Sequence, residues 1–358
     1  MNAYLQKQIS RLHAVNVSLS TGYDDFDIIY SGSSYYNTTM SNTRLNGVFG
    51  YNGKFPFGMN IYGEAGASWL KTVTNGKGVH KLSPYAQVSM SYSPGRQHQI
   101  NFTGQYVLIS MTEAKKTGNI IQSNEMLYIT GNPDLKPCNE MSLNLNYVWL
   151  PSNNLYAVAF AQYIHDFKPD IQIYSHYDDG KALLRSYIND GHSSVTTVGL
   201  QATYKPLAAL QLEGTVAYRN YSVSGLIDKS IHPVEGRVAA TYYLGKFYIG
   251  ASGSWDSRMF NSDSGQVKYI PWTYALKGGY SNKGWTVQAV ARNIFSSDWV
   301  SSTAELTSPL YSVYNTNYGE GDHRKLTIAV SYTFDYGKRI NHGDEIGEGS
   351  GGKSAVLK

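Results

Sequence analysis

The sequence predicts an all-β chain, an antiparallel up-and-down transmembrane β-barrel wall, on three observations. Stretches in which apolar and polar residues alternate recur about a dozen times. No apolar run reaches the roughly 18 residues of a spanning helix, and alternating barrel strands produce no such run. Finally, short turn signals and long polar connections alternate strictly along the chain. A water-soluble sandwich hides its apolar faces inside; a membrane barrel turns them to lipid and keeps the polar faces around an aqueous lumen.

The strands follow in order from a first one near 11–20. Ile100, Phe102, Gly104, Tyr106 and Leu108 oppose Gln99, Asn101, Thr103 and Gln105. Leu143, Leu145, Tyr147 and Trp149 alternate with Ser142, Asn144, Asn146 and Val148. Leu210, Leu212, Gly214, Val216 and Tyr218 alternate with Gln211, Glu213, Thr215, Ala217 and Arg219. The stretches 235–244 and 247–255 repeat the pattern, and Leu326, Ile328, Val330, Tyr332, Phe334 and Tyr336 form one face of a closing strand over 323–336. In a strand successive side chains point to opposite faces, so each stretch has one greasy and one wet face. About fourteen strands of about 10 residues or slightly more are expected, the length a tilted strand needs to cross a bilayer. Gln, Glu and Arg on the second face do not suit a dry sandwich core, and no blade signature of a propeller recurs.

Short turns are expected at Asn52-Gly53, Ser93-Pro94-Gly95, Pro151 to Asn154, Lys205-Pro206, Gly245-Lys246 and Ser281 to Gly284. Long polar connections are expected over 21–40, 71–80, 111–137, 166–194, 222–233, 257–271 and 295–322. Such a meander carries its turns on one rim and its loops on the other. The last strand then runs inward from the loop rim, and the polar tail 337–358 emerges on the periplasmic, short-turn side of a barrel portion covering 1–336.

Composition narrows the classes further. Thirty-one tyrosines against 11 phenylalanines suit the aromatic girdles at barrel rims, although Tyr also has high intrinsic β-propensity. A net charge of +4 with scattered Lys and Arg gives no footprint for nucleic acid. The single cysteine, Cys138, excludes an intramolecular disulfide framework and a thiolate-rich metal site. Met1 to Ser10 has no charged stretch followed by an apolar core, so no signal peptide is expected within it.

One segment is more specific than any pattern. Gly131-Asn132-Pro133-Asp134-Leu135-Lys136-Pro137 precedes a strand, and its Gly-Asn-Pro and Lys-Pro steps are turn and extended-chain signals. It resembles the Gly-Asn-Pro-x-Leu-Lys-Pro-Glu segment of TonB-dependent outer-membrane receptors. Arg292-Asn293-Ile294-Phe295 resembles their Asn-Leu-Phe element, and Ser331-Tyr332-Thr333-Phe334 their closing strand. Cys138 stands where the motif has Glu, and a polar tail follows the final strand, which leaves Phe334 or Tyr336 as the terminal signal for the barrel-assembly machinery.

The resemblance implies a Gram-negative outer-membrane receptor embedded in outer-membrane lipid, in which the chain supplies the C-terminal part of a barrel of roughly twenty-two strands behind a plug. It implies import of a bulky nutrient (glycan, siderophore, peptide or cobalamin) without covalent chemistry or a cofactor. TonB is engaged only through the plug, which this stretch does not include. A passive porin or fatty-acid channel, and an outer-membrane lipase or esterase, stand as alternatives. The fragment's two open edges are expected to favour aggregation, and its loops 166–194 and 295–322 to keep weak binding.

His165-Asp166, His176 with Asp178 and Asp179, and His192 suggest a metal only if a polar loop gathers them, and Asp24, Asp25 and Asp27 lack the spacing of a calcium loop. No Gly-x-Ser-x-Gly elbow or His-Glu-x-x-His occurs, so no catalytic or metal residue is assigned. The expected ligand contacts are loop aromatics: Tyr174, Tyr177, Tyr187, Trp299, Tyr311 and Tyr314, with Trp255, Phe260, Trp272 and Tyr318 beside them. Stacking on sugar rings or flat chelates suits such side chains, and so does an outer girdle.

Overall fold

The computed structural model describes residues 2–30, 36–110, 112–296, 300–318 and 324–334. Fifteen strands of one 16-stranded sheet follow one another in sequence order. They are Asn2–Ser10, His13–Tyr30, Tyr36–Phe55, Met59–Thr74, Lys77–Gly95, His98–Ile109, Cys138–Ser152, Leu155–Phe167, His192–Leu207, Leu210–Ser224, Val234–Leu244, Phe247–Ser254, Thr273–Asn282, Trp285–Arg292 and Lys325–Tyr332. Each neighbouring pair is antiparallel. The sixteenth, Lys229–Ile231, pairs alongside Leu210–Ser224.

The polarity of the wall is inverted relative to a soluble sheet. Leu326, Ile328 and Val330 are 65%, 65% and 59% exposed, and Val17, Phe49, Leu145, Leu200 and Ile249 are exposed with them. The buried set is instead rich in Asn, Ser and Thr, including Asn42, Thr72, Ser83, Asn139 and Thr197. Thr72 Oγ1 donates to Asn42 Oδ1 at 2.7 Å, and Asn139 Nδ2 donates to Ser83 Oγ, so these buried groups are satisfied. Leaving a Leu, Ile or Val in water forgoes about 1.5–3 kcal/mol each, a loss that lipid removes. The apolar faces therefore point outward and the polar faces inward.

The short reversals at 11–12, 56–58, 96–97, 153–154, 208–209, 245–246 and 283–284 lie on one rim, because successive antiparallel strands alternate direction, whereas the tight turn at 75–76 closes a hairpin on the other. Aromatic pairs cluster along the short-turn rim: Phe247 with Tyr280 at 4.7 Å, Trp285 with Tyr332 at 4.8 Å, and Phe55 with Phe57 at 5.5 Å. This is a girdle at a membrane–water boundary. Thr333 N donates to Gly284 O at 2.8 Å, so the chain leaves its last strand on the short-turn rim. The tail 337–358 and Tyr336 lie outside the described residues. Asn2–Ser10 and Lys325–Tyr332 each pair on one side only among the described residues, so the sheet is an open wall.

Several expectations are corrected. An additional strand, Asn2–Ser10, precedes the first one expected; Lys7 interrupts its apolar face and conceals the alternation. The stretches 21–40 and 71–80 are not long loops. Lys71 to Thr74 and Lys77 to His80 continue as paired strands around the two-residue turn Asn75-Gly76. Both turn residues have positive φ (48° and 81°), which matches the twist of a tight hairpin. His13–Tyr30 and Tyr36–Phe55 likewise run 18 and 20 residues, well past a bilayer's needs. Asn52-Gly53 and Lys205-Pro206 lie inside strands, with the reversals at 56–58 and 208–209. Polar side chains on both faces resemble a loop in sequence, but above the membrane a paired strand is wet on both faces.

Candidate functional site

The remaining long connections carry strands of their own and build the outer rim. One four-stranded sheet joins Asp170–Tyr177, Ala182–Asn189, Leu127–Ile129 and Ile121–Asn124. A second joins Ser257–Asn261, Gln266–Ile270, Val300–Thr307 and Ser312–Tyr318. The parallel pairing of Leu183 to Arg185 with Leu127 to Ile129 ties the connection 111–137 to 166–194, which no sequence pattern signalled.

The Gly131–Pro137 segment is the joint beneath this rim. A side chain at Gly131 would collide with the carbonyls of Thr117 and Lys115, so only Gly allows the approach. Asn132 N donates to Lys115 O at 2.7 Å, and its side-chain amide donates to Tyr187 O at 2.9 Å. Its Oδ1 accepts from Asp134 N at 2.9 Å, an Asx turn. Leu135 is 1% exposed and packs with Cys138 and Tyr187. In this apolar cluster a thiol is better placed than a carboxylate, which accounts for Cys138 at a position the motif gives to Glu. Lys136 exchanges two hydrogen bonds with the Asn189 side chain, at 2.7 and 3.0 Å. Asp134 is paired with Lys77 at 2.6 Å.

Two lysines of the turn Glu113–Lys116 have separate tasks. Lys115 forms ion pairs with Asp170 and, at 2.6 Å, with Asp263, and its Nζ lies 5.4 Å from the Tyr187 ring centre. Burial lowers its pKa, but the hydrogen bonds to Asp170 and Asp263 outweigh this and raise it overall. Lys116 is 2% exposed and donates to the carbonyls of Leu135, at 2.5 Å, and Pro133, at 3.3 Å. Burial, only partly offset by Asp134, lowers its pKa to about 8.

The expected aromatic contacts are dispersed. Tyr174 and Tyr311 meet at 5.0 Å and bridge the two rim sheets. Tyr177 packs on Tyr128 at 4.7 Å, and Tyr187 is buried under Lys115. Tyr314 is 67% exposed, with Tyr318 and Trp272 also open. Trp255 is exposed at the end of its strand, Phe260 packs on Tyr221, and Trp299 lies outside the described residues. His165 and His192 stack at 5.5 Å on adjacent wall strands rather than in a loop, and Asp24, Asp25 and Asp27 lie within His13–Tyr30. No group of three His, Cys, Asp or Glu among the described residues is arranged to hold a metal ion.

A family model, described as the outer membrane protein beta-barrel family, matches residues 70–332. The chain belongs to that family. Membership places it in the Gram-negative outer membrane as a non-enzymatic barrel protein. The matched span contains both the 131–137 joint and the Arg292–Phe295 element. In the latter, Asn293 has φ of 47°, its N donates to Tyr274 O at 3.0 Å, and its Oδ1 accepts from Tyr274 N at 2.8 Å. Asn tolerates this left-handed conformation and so steers the chain off the wall.

Solved barrels share the fold. The FrpB iron transporter from Neisseria meningitidis superposes with a TM-score of 0.60 at 10% identity, over 92% of this chain and 54% of its own. The copper transporter OprC gives 0.66 at 12% identity, over 91% and 55%. The ferric citrate transporter FecA, in the unliganded form, gives 0.60 at 13%, over 93% and 53%. At these identities the likeness is one of fold, and the chain spans about half the length of each transporter. Comparison with curated proteins gave no match.

Proposed function

We propose that this chain is the C-terminal part of the barrel of a TonB-dependent outer-membrane receptor that imports a bulky nutrient. The observation that carries the reading is the Gly131–Pro137 joint. It ties the connection 111–137 to 166–194, and Lys115, held by Asn132, adds 257–271, so that a pre-organised rim stands above an inside-out wall, and a passive pore has no need of such a rim. Rigid loops lower the ordering cost of binding a large ligand. Tyr177 and Tyr314 offer faces to that ligand, Tyr174 and Tyr311 hold the two rim sheets together, Tyr187 supports them from below, and Trp299 completes the set. TonB acts through a plug domain and not through these strands. Phe334, exposed and 4.6 Å from Tyr332, is the terminal aromatic presented to the assembly machinery.

The test is uptake by cells expressing the full gene, with and without TonB, using labelled ferric siderophores, cobalamin, peptides and oligosaccharides. Uptake of one class that vanishes without TonB is the expected result. Undiminished uptake without TonB, together with a uniform conductance in planar bilayers, replaces the receptor with a passive channel.

A further inference from the structure

Among the described residues, the inner face of the last wall strands carries cations without counter-charges. Arg292 and Lys325 are direct cross-strand partners, and the outward pair beside them is Ala291 with exposed Leu326, so both cations face the lumen. Partners on one face of an antiparallel pair have Cβ atoms about 4.5–5.5 Å apart, and like charges there repel. Neither makes an ion pair or a side-chain hydrogen bond among the described residues. Arg237 is on the same face three strands away, through Ser254, Thr273 and Ala275, hence about 16 Å distant by strand spacing and the two-residue offset from Thr273 to Ala275. It too is unpaired, whereas Arg219 is matched by Glu235 at 3.3 Å.

Arg237 and Arg292 line opposite sides of one recess of about 340 Å³. Its floor is hydroxyl-rich, with Ser252, and Ser254 Oγ 2.7 Å from Thr273 Oγ1; Trp272 stands at its edge, and among the described residues no carboxylate lines it. It lies where the wall strands end and the connections 255–272 and 293–324 begin, so it opens towards the outer rim.

We infer that this recess binds a small anion with at least two carboxylate or phosphate groups, one at Arg292 and Lys325 and one at Arg237. Two guanidinium forks set apart across a hydroxyl floor match a polyanion and reject a neutral sugar, which would leave the repulsion in place. The inference deepens the receptor reading, on which its link to cargo rests, by naming the cargo as anionic.

Calorimetry on the purified full-length protein in detergent tests it, with citrate and pyrophosphate as carboxylate and phosphate probes and maltose as the neutral control. Either anion should bind, more weakly as salt rises, and maltose should not. Arg292→Gln, Lys325→Gln and Arg237→Gln should each weaken binding about tenfold or more, with Lys325→Arg retaining it and all variants keeping the heat-modifiable mobility of a folded barrel. No anion binding, or binding that all three Gln variants leave unchanged, overturns the site. The assay needs no TonB, so its failure beside intact TonB-dependent uptake removes the anion site alone. Anion binding beside TonB-independent uptake removes the receptor reading alone.

Discussion

Lys115 Nζ lies 2.6 Å from Asp263 Oδ2 across 148 residues of sequence. Because Lys115 also pairs with Asp170, and Gln172 N donates to Asp263 O at 2.6 Å, one ammonium group joins three outer connections. This contact converts separate hairpins into a single rim.

Replacing Lys115 with Met should release that rim. Asp170 is held in a setting where burial raises its carboxyl pKa and Lys115 pulls it back. Without the cation two carboxylates face each other, at a cost of about 2–3 kcal/mol after allowing for the partial exposure of Asp263. Hydrogen exchange on the full-length protein should show faster exchange in 170–177 and 257–270 and unchanged protection in the wall. Unchanged rim protection would show that the latch carries no load.

Lys116 makes the joint pH-dependent. Its pKa is about 8 when buried, against about 10.5 in an opened loop, so the folded joint binds the proton less tightly. The penalty for burying its charge is fully present below pH 8 and is relieved as pH rises from about 8 to about 10.5. Protection of 127–137, corrected for intrinsic exchange, should therefore increase over that window. Lys116→Met should abolish the slope, and a slope that persists in the variant would assign it to another group.

The orientation of the wall predicts opposite outcomes at neighbouring positions. Ile328→Arg places a charge in lipid and should destabilise the barrel by about 2–4 kcal/mol. Ala329→Arg, beside Gln288 on the inner face, should cost little. Urea titration of the full-length protein in vesicles compares them, and equal losses would contradict the outward apolar face.

The alternation of Leu326, Ile328 and Val330 with Thr327, Ala329 and Ser331 determined strands, order and inversion from sequence alone, because side-chain direction in a strand is local and has period two. The Gly131–Pro137 segment announced itself the same way, through residues that only turns require. Strand ends were not legible where polarity did not change at the membrane surface, as at Asn75-Gly76. The site depended on register and long-range closure: Lys115 beside Asp263, Leu127 beside Leu183, and Arg292 opposite Lys325. Nothing local to any of these residues names its partner. Pairing is set by how the whole meander stacks, so only the tertiary structure decided which charges meet a counter-charge among the described residues and which do not.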